Sequence, residues 1–322
     1  MNNIPMKNMD LQQRIIFMGT PEFAVESLRA LVENKYNVVA VVTMPDKPVG
    51  RHHETLKASP VKEYALSVGL PVLQPEKLKD EAFLEELRSY HADVQVVVAF
   101  RMLPEVVWAM PPKGTFNLHA ALLPQYRGAA PINWAIINGD TMTGVTTFFL
   151  DHDIDTGRII HQVTAPIADT DTVEDVYERL MHLGAGLVMK TLDDIAADNV
   201  QPVAQSEYAD TIGELRPAPK LFRENTQILW HEHTVKSAYD FIRGLSPYPG
   251  AWTTLRTADG RETQLKVFFA EKYVAADTNP LVVHLRDGYL RLTDIQLAGK
   301  RRMSAQDFLR GAHLEGAELI ET

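Results

Sequence analysis

The sequence predicts an α/β protein with a doubly wound, mostly parallel, Rossmann-like sheet, followed by a smaller OB-like β-barrel. Through the first 200 residues, continuous apolar segments alternate with helical patterns, which is typical of a parallel sheet covered by helices on both faces. Residues 201–219 are polar and proline-rich without periodicity, and short alternating strands follow them. We therefore predict a first domain over residues 1–200, a linker over 201–219 and a second domain over 220–322.

The elements of the predicted first domain follow from apolar runs and helical spacing. The predicted strands cover residues 14–18, 38–42, 72–73, 94–100, 115–119, 144–150 and 158–165, the last as the return arm of a hairpin. Helices are predicted over residues 61–68 and 81–90. Thr20 fits the N-cap of another helix that starts at Pro21. Asp171, with Glu174 three residues on, fits the N-cap of a long helix through Ile195.

The predicted second domain consists mainly of short strands. A helix is predicted over residues 235–243 and strands over 251–255, 265–273, 281–285 and 289–296. The dipeptides Asp259-Gly260 and Asp287-Gly288 are hairpin-turn signals, and Ser304 caps a last short helix. A small all-β barrel fits this pattern, and the OB-like barrel is a common form for a nucleic-acid partner.

Composition and charge narrow the class of protein. The chain has no cysteine, which excludes disulfides, Cys-ligated zinc and a thiol nucleophile. The net charge of -10 argues against a general nucleic-acid binder, yet residues 217–322 hold 14 Lys/Arg against 13 Asp/Glu, whereas residues 1–216 hold 18 against 29. A tail that contacts RNA beside an acidic body fits this distribution. Without an apolar run of about 20 residues or a signal-like start over residues 1–13, we expect a cytoplasmic protein with no membrane contact.

The absence of three well-known sequence motifs argues against other classes of enzyme. Gly19 stands alone after the first strand, so the GxGxxG fingerprint of a dinucleotide-binding dehydrogenase is absent. A GxxxxGK[ST] loop is also absent, which excludes a P-loop NTPase. The run His231-Glu232-His233 lacks the HExxH spacing and is interpreted as a solvated helix start, and we expect no metal.

Asn117, His119 and Asp155 are the candidate catalytic residues. Asn117 and His119 lie two apart at the end of a predicted strand, so their side chains share one face. The carboxyl end of a strand is where open α/β sheets place ligand sites. Asp155 lies in a polar turn after the following strand. Spacing alone leaves a purely structural role for the three residues open.

These three residue types suit acyl transfer without a covalent enzyme intermediate. An imidazole is the commonest proton shuttle near neutral pH, and a nearby carboxylate favours its charged form. A primary amide can donate a hydrogen bond to a developing oxyanion. Since none of the three is a strong nucleophile, direct attack by the substrate's own amine on an activated carbonyl is favoured.

Around this segment the sequence resembles the folate-dependent formyltransferases, in particular the branch that acts on methionyl-tRNA. The similarity rests on several stretches in order: MGTPEFA at 18–24, PDKPVGR at 45–51, SPVK at 59–62, NLHAALLP at 117–124, YRGAAPI at 126–132, GVT at 144–146, DTG at 155–157, APKL at 218–221 and IRGLSPYPGA at 242–251. The likeness covers nearly the whole chain after residue 13.

The resemblance implies a formyl transfer from 10-formyltetrahydrofolate to the amine of initiator methionyl-tRNA. By the family's pattern, His119 handles the proton, Asn117 steadies the carbonyl oxygen, and Asp155 orients and charges the histidine. Residues 1–200 would then be the formyltransferase catalytic domain and 220–322 an OB-like tRNA-binding domain. We expect the enzyme to be a monomer.

The resemblance also implies which residues bind the two substrates. The predicted folate-lining residues are Phe100, Arg101, Met102, Leu103, Ala121, Leu122, Leu123 and Pro124. The long loop 43–59 would lie at the acceptor end of the tRNA, with Arg51 as the tRNA contact. Ala121 stands where the family usually has Ser, and Arg101 where this branch often has a small residue.

Other functions remain open on the sequence. The same chemistry could act on an amino-sugar nucleotide, or a folate hydrolase domain could share it. A catalytically dead α/β domain with an RNA-binding barrel is a second alternative, and a dehydrogenase is a third. An OB-like second domain favours tRNA as the acceptor, and the intact trio favours an enzyme.

Overall fold

The computed structural model describes residues 13–49, 55–208, 213–311 and 316–321. Within these ranges the strands are β1 Ile15–Gly19, β2 Val38–Val42, β3 Lys47–Val49, β4 Thr55–Lys57, β5 Val72–Leu73, β6 Val94–Val98, β7 Thr115–His119, β8 Met142–Phe149, β9 Ile159–Pro166, β10 Ala251–Arg256, β11 Glu262–Lys272, β12 Val282–Leu285, β13 Gly288–Leu297, β14 Met303–Ser304 and β15 Glu318–Ile320. The helices are α1 Glu22–Glu33, α2 Pro60–Ser67, α3 Glu81–Ser89, α4 Glu105–Trp108, α5 Pro131–Ile137, α6 Val173–Ala196, α7 Val235–Gly244 and α8 Ala305–Gly311.

The first compact unit is built on a seven-stranded sheet. It comprises the described parts of residues 1–127, 144–165 and 178–216. Its strand order is β5-β2-β1-β6-β7-β8-β9, with parallel pairing from β5 through β7 and antiparallel pairing of β7 with β8. All five residues of β1 and of β6 are buried, which is why these strands are apolar except for the buried Gln95 of β6.

The second compact unit is built on an antiparallel sheet. It comprises the described parts of residues 128–143, 166–177 and 217–322. The strand order is β12-β13-β11-β10-β15, with β14 on β13, and the sheet is nearly closed and barrel-like. Side chains of α7 and of the strands form its core, and α5 packs on α7. Both parts of the predicted fold class, the mostly parallel α/β sheet and the OB-like barrel, are confirmed.

The two predicted helix caps Thr20 and Asp171 are wrong by one residue, because Pro21 and Thr172 directly precede the observed helices. Helix α1 begins at Glu22, and the Thr20 hydroxyl is buried without a partner among the described residues, so the predicted N-cap at Thr20 is wrong. Helix α6 begins at Val173, and Asp175 accepts from the backbone and hydroxyl of Thr172. Local side-chain bonds within one turn decide such boundaries, and a sequence pattern does not distinguish between neighbouring cap residues.

In the ranges that the structure describes, no helix is long and apolar enough to cross a membrane.

Candidate active site

Strand β7 fixes the first two candidate residues. Asn117 and His119 extend from the same face because they are two residues apart on one strand. Asn117 is paired with Val97 on one side and Phe148 on the other, and His119 is paired with Thr146. His119 is only 6% exposed, whereas Asn117 is partly buried. Both residues therefore start from a backbone held by neighbouring strands.

The two ring nitrogens of His119 have different partners. Nε2 lies 2.8 Å from the carbonyl oxygen of Tyr126, and since a carbonyl can only accept, Nε2 carries the proton of that bond. Nδ1 lies 3.8 Å from Oδ2 of Asp155. In the neutral ring, Nδ1 is therefore the free base, and a carboxylate next to it stabilises the imidazolium once a proton arrives.

Asp155 reaches His119 because the turn after β8 lies back along the sheet. The turn starts opposite the first residue of β7, where the Leu150 amide donates to the Thr115 carbonyl at 2.9 Å. His119 is the last residue of β7, yet the carboxylate of Asp155 lies beside its ring. Asp155 has φ 56°, in the left-handed region that non-glycine residues rarely adopt. Such a conformation persists where the surrounding structure fixes it.

The last position of the Asp-Thr-Gly sequence, Gly157, has no room for a side chain. A Cβ atom built on Gly157 would lie 1.6 Å from the carbonyl oxygen of Phe149, so any side chain would push the turn off the strand. The close approach of the two backbones therefore requires glycine.

The amide of Asn117 is available to a substrate. Within the described part of the chain, its side chain forms no hydrogen bond. A primary amide offers two N–H donors, and this one lies on the same face as the histidine. It can donate to an oxygen that develops negative charge.

The loop after β7 is held by one hydroxyl group. Thr146, fully buried on β8, donates to the Ala121 carbonyl at 2.6 Å and accepts from the Leu123 amide at 3.1 Å. Gln162 donates to the same hydroxyl at 2.9 Å and to the Leu123 carbonyl at 2.8 Å. The backbone of residues 121–123 is thereby fixed next to His119.

The folate-lining prediction covers residues in different environments. Arg101 donates to the Glu76 carbonyl at 2.8 Å and to the Pro75 carbonyl, while its Nε is buried without a partner among the described residues. Burial lowers the pKa of the Arg101 guanidinium. Its charged carbon lies 5.8 Å from the centre of the Phe100 ring.

The other predicted lining residues divide into exposed and buried side chains. Met102 is 66% exposed, whereas Leu103 is buried in the core under β1, β2 and β6, and Phe100 packs against that core. In the second loop, Ala121, Leu123 and Pro124 are buried and Leu122 is partly buried. A ligand at this loop therefore meets backbone groups more than side chains. The lining role of all eight residues stays a prediction.

The predicted tRNA contact, Arg51, lies outside the described residues. The base of its loop is described, and β3 and β4 form a hairpin there. Lys62 donates to Asp46 at 2.6 Å, and Gln74 donates to the other oxygen of Asp46 at 2.8 Å. The bond from Lys62, followed by that from Gln74, holds the pKa of Asp46 below its usual value.

Sequence reasoning missed the residues that support the trio. Tyr126 accepts from the histidine, Thr146 fixes the loop, and Gln205 is bonded to the turn that carries Asp155. Tyr126 and Thr146 lie inside motifs that the sequence analysis quoted, so a search for hydroxyls and carbonyls near the histidine could have found them. Gln205 lies in a polar stretch with no pattern.

A large cavity of the first unit is elsewhere. It has a volume of about 860 Å³ and is lined by residues within 87–95 and 106–112, which lie before or at the start of β6 and before β7. It therefore opens at the amino-terminal edge of the parallel strands, whereas the histidine ends its strand at the opposite edge. The chemistry of the trio, rather than cavity size, identifies the candidate site.

Family comparison matches both parts of the chain. The model of a family described as formyl transferase matches residues 13–192, and the model of the formyl transferase C-terminal domain matches residues 220–313. A protein of Parabacteroides distasonis named methionyl-tRNA formyltransferase is 61% identical over 317 residues, covering 95% of this chain and 97% of that protein. Proteins with the same name from Bacteroides thetaiotaomicron and Porphyromonas gingivalis (strain ATCC 33277) are 58% and 46% identical, each over 96% of this chain and 98% of their own length.

Solved structures share the fold at low identity. HypX from Aquifex aeolicus, in complex with tetrahydrofolic acid, has a TM-score of 0.63 and 17% identity, covering 92% of this chain. This chain spans 46% of the length of that HypX chain. An N-formyltransferase from Helicobacter canadensis, in complex with folinic acid and dTDP-3-aminofucose, has a TM-score of 0.59 and 19% identity, covering 89% of this chain and 99% of that one. At these identities the likeness shows a common fold alone.

Proposed function

This chain belongs to the formyl transferase family, and from that premise we propose that it transfers a formyl group from a folate donor to the free amine of methionyl-tRNA. The observation that carries this function is the match over nearly the whole chain to relatives named methionyl-tRNA formyltransferase. The family resemblance noted in the sequence motifs is confirmed by that match. The product is formylmethionyl-tRNA, which serves translation initiation.

His119 moves the proton in this reaction. The acceptor amine attacks the formyl carbon, a new carbon–nitrogen bond forms, and the amine must lose a proton. Nδ1 of His119 is the free base in the neutral ring, because Nε2–H is bonded to the Tyr126 carbonyl. The same nitrogen returns the proton to the donor's nitrogen as the old carbon–nitrogen bond breaks, so no proton is gained or lost.

Asp155 and Asn117 stabilise the charges that develop. The carboxylate, 3.8 Å from Nδ1, faces the positive charge on the ring while the proton resides there. This separation is longer than a hydrogen bond, and active-site contacts often tighten when substrate binds. The amide of Asn117, which has no hydrogen-bond partner among the described residues, donates to the formyl oxygen as it becomes an oxyanion. The enzyme needs no nucleophile of its own, because the acceptor supplies it.

The donor we propose is 10-formyltetrahydrofolate. Residues that follow β6, the strand paired with β7, offer groups for a ligand: Arg101 has a buried Nε without a partner among the described residues, and Met102 is 66% exposed. The backbone of residues 121–123, fixed by Thr146, adds amide and carbonyl groups. In this proposal these groups hold the pterin ring, and the formyl group on N10 of the donor is left to the trio.

The acceptor we propose is the initiator methionyl-tRNA. Residues 217–322 are nearly balanced in charge, unlike the acidic remainder of the chain, and this segment can therefore approach a polyanion with little repulsion. We also propose that Arg51 contacts the tRNA. The enzyme acts as a monomer in the cytoplasm in this proposal.

Substitution of His119 by Ala tests the chemical step. We expect the formylation rate to fall by about 100-fold or more, the scale of a lost acid–base group, while the affinity for methionyl-tRNA stays within about twofold. The measurement is steady-state formylation of charged initiator tRNA, together with a direct binding titration. His182→Ala is the matched control, because this exposed histidine lies on α6 and pairs with Glu26. Turnover of His119→Ala at the wild-type rate would contradict the proton-transfer role.

A further inference from the structure

We infer that Gln205 is a positioning residue that holds Asp155 beside the histidine and ties its turn to Arg127. This inference rests on the proposed function, because Asp155 matters to the rate only if the histidine moves the proton. Gln205 begins a short 3-10 turn, Gln205–Tyr208, in the segment that the sequence presents as a pattern-free linker. Its side chain is only 4% exposed.

The side-chain amide of Gln205 uses every one of its strong hydrogen-bonding directions. Its Nε2 donates to the carbonyls of Asp155 and Gly157, both at 2.8 Å. Its Oε1 accepts from Nε and Nη2 of Arg127, at 3.0 and 2.6 Å. One buried amide thus joins the turn of Asp155 to the loop that follows His119.

Neighbouring backbone bonds place Gln205 in register with that turn. Ile159 and Val203 exchange two backbone hydrogen bonds, both at 2.8 Å. The guanidinium of Arg158 donates to the Pro202 carbonyl at 2.9 Å. The segment before Gln205 therefore runs along the first residues of β9, and Gln205 reaches the turn without strain of its own.

The turn needs this support because its geometry is unfavourable locally. Asp155 has a left-handed backbone with φ 56°, a conformation that a non-glycine residue keeps only where surrounding contacts fix it. The two carbonyls bonded by Gln205 flank Thr156, so the amide clamps both ends of this part of the turn. When the clamp is lost, the turn can relax and carry the carboxylate away from Nδ1 of His119.

Substitution of Gln205 by Glu separates the two halves of this network. A carboxylate of the same length still accepts from Arg127, but it has no N–H to donate and repels both carbonyls. We expect kcat to fall by about 10- to 100-fold, the scale of a misplaced catalytic group, with KM for methionyl-tRNA within about twofold. A general loss of folded protein would instead lower the active fraction and the melting temperature, so a thermal melt accompanies the kinetics.

A double-mutant cycle tests whether Gln205 acts through Asp155. In the Asp155→Asn background we expect Gln205→Glu to change the single-turnover formylation rate by no more than about twofold, because the group that it positions is already lost. If Gln205→Glu fails to fold, Arg127→Met replaces it in the same cycle, since this change removes the anchor of the amide and leaves its donors in place. The same coupling to Asp155 is expected.

The outcomes separate this inference from the proposed function. A full, independent loss from Gln205→Glu in the Asp155→Asn background would overturn the positioning role. An unchanged kcat in Gln205→Glu would overturn it as well. A wild-type rate in Asp155→Asn alone would instead contradict the role of the carboxylate in the proposed function.

Discussion

His119 has one ring nitrogen bonded to the backbone and the other open towards a carboxylate. The Tyr126 carbonyl fixes both the tautomer and the orientation of the ring, since only Nε2 can carry the proton of that bond. The free nitrogen faces Asp155, so the proton acceptor and its counter-charge lie on the same side of the ring. The backbone carbonyl, rather than the carboxylate, therefore determines which ring nitrogen can accept the proton in the proposed reaction.

Asn117 offers the sharpest prediction at the scale of single residues. Replacement by Asp keeps the shape but removes the N–H donor and places a negative charge near the developing oxyanion. We expect kcat to fall by about 100- to 1,000-fold, the usual cost of a lost oxyanion donor, with little change in KM for the folate. The measurement is formylation at saturating methionyl-tRNA with the folate concentration varied.

The control for this change is Asn133→Asp, on α5 of the second unit, whose amide donates to the Gly244 carbonyl at 2.8 Å. That variant is expected to lower the melting temperature and to leave kcat unchanged. An Asn117→Asp enzyme that is as fast as the wild type would exclude the amide as an oxyanion donor.

Residue-level prediction from the sequence succeeded where a simple period applies. Asn117 and His119 share a face because strand side chains alternate, and this needs no knowledge of the partners. The approach of Asp155 depends on a turn that lies back along the sheet, and the burial of Gln205 depends on bonds to that turn. The spacing of residues along the sequence does not predict the position of Asp155 or the burial of Gln205, because both arise from contacts between distant segments.

At the scale of elements, a polar cluster anchors the loop that follows β2. Lys62 on α2 and Gln74 after β5 both bind Asp46, and the hydroxyls of Thr43 and Ser59 lie 2.7 Å apart. Since the folded pKa of Asp46 is lowered, this contribution is complete above the ordinary Asp pKa and is lost as the pH falls through the lowered value. The anchor therefore holds at neutral pH.

Lys62→Met removes the largest partner of Asp46 and loosens the base of this loop. Because the loop is proposed to contact the tRNA, we expect KM for methionyl-tRNA to rise by about three- to tenfold while kcat is kept within about twofold, since the lost hydrogen bond to a charged group is strong but is screened by solvent. Formylation kinetics with the tRNA concentration varied would measure it. Lys79→Met, at an exposed lysine, is the control.

A fall in kcat without a rise in KM would contradict the anchoring role of Lys62. An unchanged KM would show instead that the loop does not need this ion pair to meet the tRNA.

Long apolar elements could be predicted, whereas several of the short elements could not. Strand β2 and the strand of Asn117 have the predicted bounds, because continuous burial leaves a clear pattern. The four-residue α4 and the three-residue strands β3 and β4 were missed, since so few residues complete no period. The seven-residue α5 was also missed, because Gly128 and Pro131 hide its start in an apparent loop.

At the scale of the whole molecule, the compact units are made of interleaved segments. In the second unit, Arg243 donates to the carbonyls of Ala168 and Asp171, at 3.2 and 2.9 Å, and to buried Asp240 at 2.8 Å. Residues 128–143 and 166–177 therefore join the barrel rather than the sheet that they follow in sequence. Contiguous domains over 1–200 and 220–322 remain a prediction, and a composition shift along the chain cannot reveal such interleaving.

The preference for one acceptor over another is also argued from the whole molecule, because the evidence for it is a match over nearly the whole chain. The proposed catalytic trio suits any amine that is suitably held, and the fold is shared with a protein solved with an amino-sugar nucleotide. The full-length match to relatives named for methionyl-tRNA is what favours the tRNA.

A competition between two acceptors tests this account most directly. The purified chain is incubated with limiting 10-formyltetrahydrofolate, labelled in its formyl group, and equal concentrations of methionyl initiator tRNA and an amino-sugar nucleotide. We predict that the label appears in formylmethionyl-tRNA and that the sugar stays unlabelled. Label on the sugar alone, or on neither acceptor with active folate present, would contradict the account.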